Sequence, residues 1–335
     1  MSAVTTPQID SASAAPHARF RPVTVATQCD ADGTIRMRAN EAMPPYPDRL
    51  HDYLSQWASR TPDKVLLAER LPGQHGWATI TYGEAAEKVA AIAAALAQRP
   101  LSPERPVMIL SGNAIDHKLL ALGSMTAGIP FAPISVAYSL VSQDLGKLRH
   151  ILKLLDPGLV YAANGELFKR ALTIPEMASR EIVVGTPSPA LPGATPFADL
   201  LKGGPKKALT AADKKINADT IAKFLFTSGS TGIPKGVITT HRMLNSNLAM
   251  EDYIWPFMAA RPPVLVDWLP WSHVFGGNHN FNQVLKNGGT LYIDDGKPIP
   301  AEFAKSVANL REISPTIYLN VPKGFELLLP TSAQR

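Results

Sequence analysis

The 335-residue sequence holds one cysteine, Cys29. A lone thiol excludes an internal disulfide framework and any zinc site built on cysteine, and it fits a reducing cytoplasm. No apolar run approaches the roughly 20 residues that a membrane helix needs, so insertion into a bilayer is not expected. An export signal is missing as well: the opening stretch, MSAVTTPQIDSASAAPHARF, is rich in Ser, Ala and Pro and has no apolar core. Residues 1–45 read as a mobile tail. No aromatic residue lies among Lys202, Lys206, Lys207, Lys214 and Lys215. A groove for single-stranded nucleic acid interleaves stacking rings with its basic residues. Without them this run reads as a solvated linker, and no nucleic-acid partner is expected.

What is present is a globular composition, 45% hydrophobic and 18% charged, with a net charge of +5 that suits anionic small molecules. Thr81 and Glu84 stand at capping-box spacing ahead of Val89, Ile92, Ala93 and Leu96, which recur at helical intervals. A strict alternation follows. VMIL, FAPI, LVYAA and IVV read as strands. AIDHKLLALGSMTAG, SQDLGKLRHILKLL and ELFKRAL read as helices between them. After a Pro/Gly/Lys-rich stretch at 186–216 the alternation resumes, with strands KFLF, VITT, VLVDWL, TLYI and TIYL and helices near 241–252, 278–286 and 300–312. Short apolar strands alternating with helices predict an α/β fold, with mainly parallel sheets flanked by helices. Two lobes are expected, at 46–200 and 219–335, joined by a linker at 201–218.

The segment FLFTSGSTGIPKGV (224–237) opens the second lobe. Gly229, Gly232 and Gly236 permit positive φ, so that successive backbone N–H groups converge on an anion. Thr227, Ser228, Ser230 and Thr231 add hydroxyl donors, and Lys235 adds a compact positive charge. The chemistry expected is the cradling of a polyphosphate. A Walker A loop is excluded, because the position five after Gly229 is Pro234 and Lys235 is followed by Gly236 rather than Ser or Thr. The spacing of Gly229 and Gly232 likewise fails the dinucleotide pattern.

Thr227 to Val237, followed by Thr240-His241, resembles throughout the signature of the adenylate-forming superfamily of acyl- and aryl-CoA synthetases, luciferases and peptide-synthetase adenylation domains. TYGEAAEKVAAIAAAL and MTAGIPFAPIS are similar to further elements of that family. The likeness spans roughly residues 50–330. Within it, ILSGNAIDHKLLAL, APISVAYSLVSQDLGKLRHIL and the stretch from Val264 to Pro298 look most like feruloyl-CoA synthases. The resemblance implies a two-step, ATP-dependent reaction. A carboxylate is first converted to an acyl-adenylate, then to a thioester of coenzyme A. It assigns the phosphates to Thr227, Ser228, Gly229, Ser230, Thr231, Gly232 and Lys235, and Mg²⁺ to the Thr227 hydroxyl. Medium- or short-chain fatty acids are the alternative substrates, and a relic that only binds ligand is the alternative to an enzyme. A homodimer is left open.

DWLPWSHVFGGNHNF (267–281) combines Trp268, Trp271, Phe275 and Phe281 with small Gly276 and Gly277. An aromatic-walled cleft floored by glycine would hold a flat acid. The resemblance places His273 beside the acyl pocket, and Trp271, Phe275, Gly276, Gly277 and Asn278 complete the expected lining. His279 is open between contact with substrate and a helix surface, and Asp294-Asp295 between a metal site and a turn. His117 and His150 read as structural. The resemblance also implies a downstream Mg²⁺-binding Glu, an Asp for the ribose and a C-terminal lid domain with the adenylation lysine. None is found in this sequence, so a catalytic residue is not assigned and the chain alone is expected to be incompetent.

Overall fold

The computed structural model describes residues 19–71, 76–204, 215–228 and 232–332. Its strands are β1 (Val25–Cys29), β2 (Ile35–Ala39), β3 (Val65–Glu69), β4 (Ala78–Thr81), β5 (Val107–Leu110), β6 (Phe131–Pro133), β7 (Leu159–Asn164), β8 (Glu181–Thr186), β9 (Thr195–Pro196), β10 (Ile221–Ser228), β11 (Pro234–Thr240), β12 (Val264–Asp267) and β13 (Thr290–Ile293). The longer helices are α1 (Asp52–Arg60), α2 (Tyr82–Leu96), α3 (Ile115–Thr126), α4 (Gly146–Leu155), α5 (His241–Ile254), α6 (Phe281–Lys286), α7 (Phe303–Ile313) and α8 (Pro322–Ser332).

Two mainly parallel sheets carry the fold, as expected. One has seven strands in the order β11-β10-β6-β5-β7-β8-β9. The other has four, in the order β12-β13-β3-β4. Only β10–β11 and β3–β4 pair antiparallel within them. All four residues of β5 are completely buried, because a parallel strand is covered on both faces. Between the sheets lies a helical layer of α2, α3 and α6, whose apolar faces merge into one core. A second core forms under α4 on the far side of the larger sheet. The capping box at α2 is complete: Glu84 N donates to Thr81 Oγ1 at 3.2 Å, and Thr81 N donates to Glu84 Oε2 at 2.9 Å. Helices α2 and α3 cross closely at Gly123, where a β-carbon would come within 2.5 Å of Ile92 Cγ2.

The sheets do not follow the chain in order, and this corrects the sequential division at 201–218. β10 and β11 join the sheet of β5 to β9, while β3 and β4 join the sheet of β12 and β13. The apolar middle of β3, Leu66-Leu67-Ala68, is fully buried. It gains one neighbour from its own hairpin and the other from β13, far along the chain. Side-chain bonds reinforce the exchange: Tyr82 Oη donates to Gly289 O at 3.0 Å and Trp57 Nε1 to Lys286 O at 2.9 Å. Most of the lysine-rich linker lies outside the described residues.

Two smaller readings also change. Residues 25–39, expected within a mobile tail, form the antiparallel hairpin β1–β2. TIYL (316–319) is not a strand. Thr316 N donates to Val264 O at 3.0 Å and Thr316 Oγ1 accepts from Val264 N at 2.8 Å, which places the segment beside β12 without a continuing ladder.

Candidate active site

The glycine–hydroxyl segment is the turn between β10 and β11, at the carboxyl end of β10. Ligands of such sheets bind at that end. Thr227 lies opposite Lys235 and Ser228 opposite Pro234. Residues directly across a ladder share a face, so the exposed Thr227 hydroxyl and Lys235 ammonium stand together at the mouth of the turn. Gly229, Ser230 and Thr231 lie outside the described residues. Gly232 has φ +76°, with nothing within 4 Å of where a β-carbon would stand. His150 of α4 donates from Nε2 to Pro234 O at 3.1 Å. This bond ties the turn to the helix beneath it, in keeping with a structural role for His150. No group of three or more His, Cys, Asp or Glu able to hold a metal is found among the described residues.

Two clefts lie elsewhere on the sheets, neither of them lined by Thr227, Ser228 or Lys235. The first, of about 320 Å³, gathers the carboxyl ends of β3, β5, β6, β12 and β13 from both sheets. Asn113 joins its walls: Nδ2 donates to Leu269 O at 2.9 Å, and Oδ1 accepts from Trp271 N at 3.0 Å. Glu69 accepts from Ile115 N at 3.0 Å and so caps α3, while burial pushes its carboxyl up. Burial likewise raises Asp267 to about 7, although Leu269 N donates to it at 3.0 Å. Asp294 accepts from Gly296 N at 2.9 Å and from Asn309 Nδ2 at 2.8 Å; Asn309 Nδ2 also donates to Asp295 at 2.9 Å. These bonds make Asp294-Asp295 a turn tied to α7.

The second cleft, of about 460 Å³, lies between α5 and residues 274–282. Phe275–Asn280 is a π-helical turn, a feature that recurs at functional sites. Its glycines serve close approach: a β-carbon on Gly276 would lie 2.3 Å from Leu269 O, and one on Gly277 2.4 Å from Trp271 O. Phe275 and Asn278 line this cleft, and His279 joins them. The other aromatic residues divide differently from the single cleft anticipated. Trp271 is 1% exposed; it meets the rings of His117 and Phe281 and borders the first cleft. Phe281 is buried in the core. Trp268 borders the first cleft and donates from Nε1 to Asn320 Oδ1 at 3.2 Å. His273 is exposed, accepts from Phe275 N at 3.3 Å, and borders neither cleft. Sequence reasoning missed Met243, Asn247 and Glu251, which line the second cleft from α5. The available signal was their spacing of four, which puts all three on one helix face.

The same layer holds two buried lysines. Lys118 Nζ sits 4.3 Å from the Trp271 ring centroid and 4.0 Å from that of Phe281, and Lys223 Nζ is 5.6 Å from that of Phe131. Burial holds Lys118 well below the ordinary lysine range and brings Lys223 down to about 7. Desolvation also depresses the neighbouring His117 to about 3, with Nδ1 donating to Gly112 O at 2.9 Å.

Residues 54–335 match the family model described as AMP-binding enzyme. The chain belongs to this family. Among curated proteins it is similar to 4-coumarate--CoA ligase-like 1 of Arabidopsis thaliana, at 26% identity over 74% of this chain and 43% of that protein. It is also similar to the long-chain-fatty-acid--CoA ligase heimdall of Drosophila melanogaster, at 24% identity over 84% of this chain and 42% of that one. The chain therefore spans less than half the length of these AMP-binding relatives. Among solved structures, ATP-bound MatB from Rhodopseudomonas palustris superposes with a TM-score of 0.61 at 21% identity, over 83% of this chain and 51% of that one. VinN superposes with a TM-score of 0.66 at 19% identity, over 87% and 65%. These likenesses show that the fold is that of adenylate-forming enzymes. No helix among the described residues is long and apolar enough to cross a membrane.

Proposed function

We propose that this chain carries the nucleotide- and acid-binding half of an AMP-forming aryl-CoA ligase, acting on a hydroxycinnamic acid such as ferulic acid. The observation that supports this most is the continuity of β11. Lys235 stands at the turn, and Thr239 of the same strand lines the cleft beside Phe275. β11 thus runs from the turn to the cleft, with Lys235 and Thr239 about 13 Å apart along the strand. The carboxylate oxygen attacks the α-phosphorus of ATP, the bond to pyrophosphate breaks, and pyrophosphate departs. Coenzyme A sulfur then attacks the acyl carbonyl, and AMP leaves. Lys235 and the amides of the turn stabilise charge on the departing pyrophosphate. Mg²⁺, when bound, would neutralise phosphate charge beside the Thr227 hydroxyl. Met243, Leu244 and Val274 on the cleft wall support a fatty acid as the second reading.

The test is pyrophosphate release by this chain fused to the C-terminal half of the Arabidopsis 4-coumarate--CoA ligase-like relative. Ferulate should support release at least tenfold better than octanoate. Lys235→Ala should raise KM for ATP by about 10- to 100-fold, the range of a charge-assisted hydrogen bond. Release supported only by fatty acids would overturn the aromatic reading. Binding of ATP and ferulate without release would favour the ligand-binding relic.

A further inference from the structure

We propose that Glu251 is the specificity-determining residue of the second cleft, and that it selects acids bearing a hydrogen-bond donor, a phenolic hydroxyl, at the end remote from the reacting carboxylate. This rests on the reading of that cleft as the acid site. Four observations carry it.

Glu251 lies in the last turn of α5, at the negative end of the helix dipole, where a carboxylate is disfavoured. Its side chain is only 17% exposed, and it faces a cleft whose other wall combines Val274 and Phe275 with Asn278, His279 and Asn282. Three neighbours hold it in place. Asn247 Nδ2 donates to Oε1 at 2.7 Å, His279 Nε2 stands 3.4 Å from Oε1, and Gln283 Nε2 donates to Oε2. His279 is itself clamped edge-on between Trp255 and Phe275, with ring centroids 5.8 and 5.5 Å apart. A carboxylate offers about four acceptor positions, so Oε2 keeps capacity for one more donor. Finally, Glu251 is eight residues beyond Met243 on the same face. That is about 12 Å along the helix, which sets it away from the β11 end of the cleft.

A fixed, half-dry acceptor at the far end of the cleft discriminates in one direction. A phenolic O–H replaces the water lost on binding. A methoxy group, a bare ring or an alkyl tail displaces that water and leaves the carboxylate unsatisfied. Sites of this kind reject the analogue that lacks the donor far more strongly than apolar pockets reject a change of size. A remote carboxylate is repelled outright.

The experiment measures dissociation constants of the chain for 4-hydroxycinnamate, 4-methoxycinnamate, cinnamate and octanoate by titration calorimetry. The expected result is 4-hydroxycinnamate at least tenfold tighter than the other three. Glu251→Leu should bring the hydroxy and methoxy compounds within twofold of each other, and Glu251→Gln, which keeps the shape and one acceptor, should fall between. Equal binding of the hydroxy and methoxy acids by the wild-type chain overturns the assignment. So does a preference retained in a folded Glu251→Leu variant, because a purely structural carboxylate would not alter the ratio. The ligand series needs no variant, so misfolding of Glu251→Leu leaves the decision to the wild-type ratios. Discrimination absent among bound aromatic acids sinks this assignment alone. Binding of no aromatic acid sinks the aromatic reading with it.

Discussion

Trp271→Ala should lose about 3–5 kcal/mol of stability in urea unfolding followed by circular dichroism, the range for deleting a buried tryptophan. The ring is 1% exposed. It is the hub of the helical layer, with His117 5.3 Å away edge-on, Phe281 5.9 Å away and Lys118 Nζ over its face. Removing it leaves more than a cavity, because the buried Lys118 amine loses the aromatic face that compensates its desolvation. Trp271→Phe separates the two contributions. It keeps a ring over Lys118 and removes an indole N–H that has no acceptor among the described residues, a buried donor that costs about 1–3 kcal/mol unpaired. The phenylalanine variant should therefore lose less than half of what alanine loses. Equal losses would mean that a phenyl ring neither fills this site nor covers Lys118. A loss below about 1 kcal/mol for alanine, well under the cavity range, would mean that Trp271 is not core.

Lys223→Met should stabilise the protein at pH 7, and the advantage should shrink as pH rises to 10. The sign follows from linkage. Burial lowers Lys223 to about 7 in the folded chain, whereas an unfolded lysine titrates near ~10.4. Between those values the unfolded chain binds a proton at this position that the folded chain does not, so wild-type stability rises with pH. The slope contributed is at most about 1.4 kcal/mol per pH unit. Methionine contributes none. The neighbouring Lys118 is depressed in the same direction, in part by the charge of Lys223 itself, so the difference between the two proteins reports Lys223 together with its coupling to Lys118. The measurement is urea midpoint against pH for both proteins at constant ionic strength. A difference that is flat from pH 7 to 10 would show that Lys223 stays protonated in the fold, held by water or by an anion.

Local physics made much of this protein legible in advance. The capping box at Thr81 and Glu84, the fully apolar β5 and the helical spacing of α2 and α4 each follow from neighbours a few residues apart. The break between β10 and β11 was legible for the same reason: a run of glycine and hydroxyl residues ends one apolar strand and precedes the next, and the family match covers it. The second cleft was legible only in part. DWLPWSHVFGGNHNF announced aromatic rings and close backbone approach, but periodicity does not tell which ring enters a cleft and which enters the core. Trp271 and Phe275 are four residues apart, and the π turn with its two packed glycines sends them to different surroundings.

Sequence alone thus determined the α/β class, the glycine–hydroxyl break between two strands and the absence of a disulfide framework, because each depends on composition or on contacts within one element. Tertiary structure alone decided which strands share a sheet, where the aromatic rings point, and that Glu251 and His279 face each other across a cleft. Those outcomes depend on pairings between segments tens to hundreds of residues apart. β3 beside β13 and α5 beside residues 274–282 are favourable only once the whole layer is assembled, and no local pattern of residues encodes them.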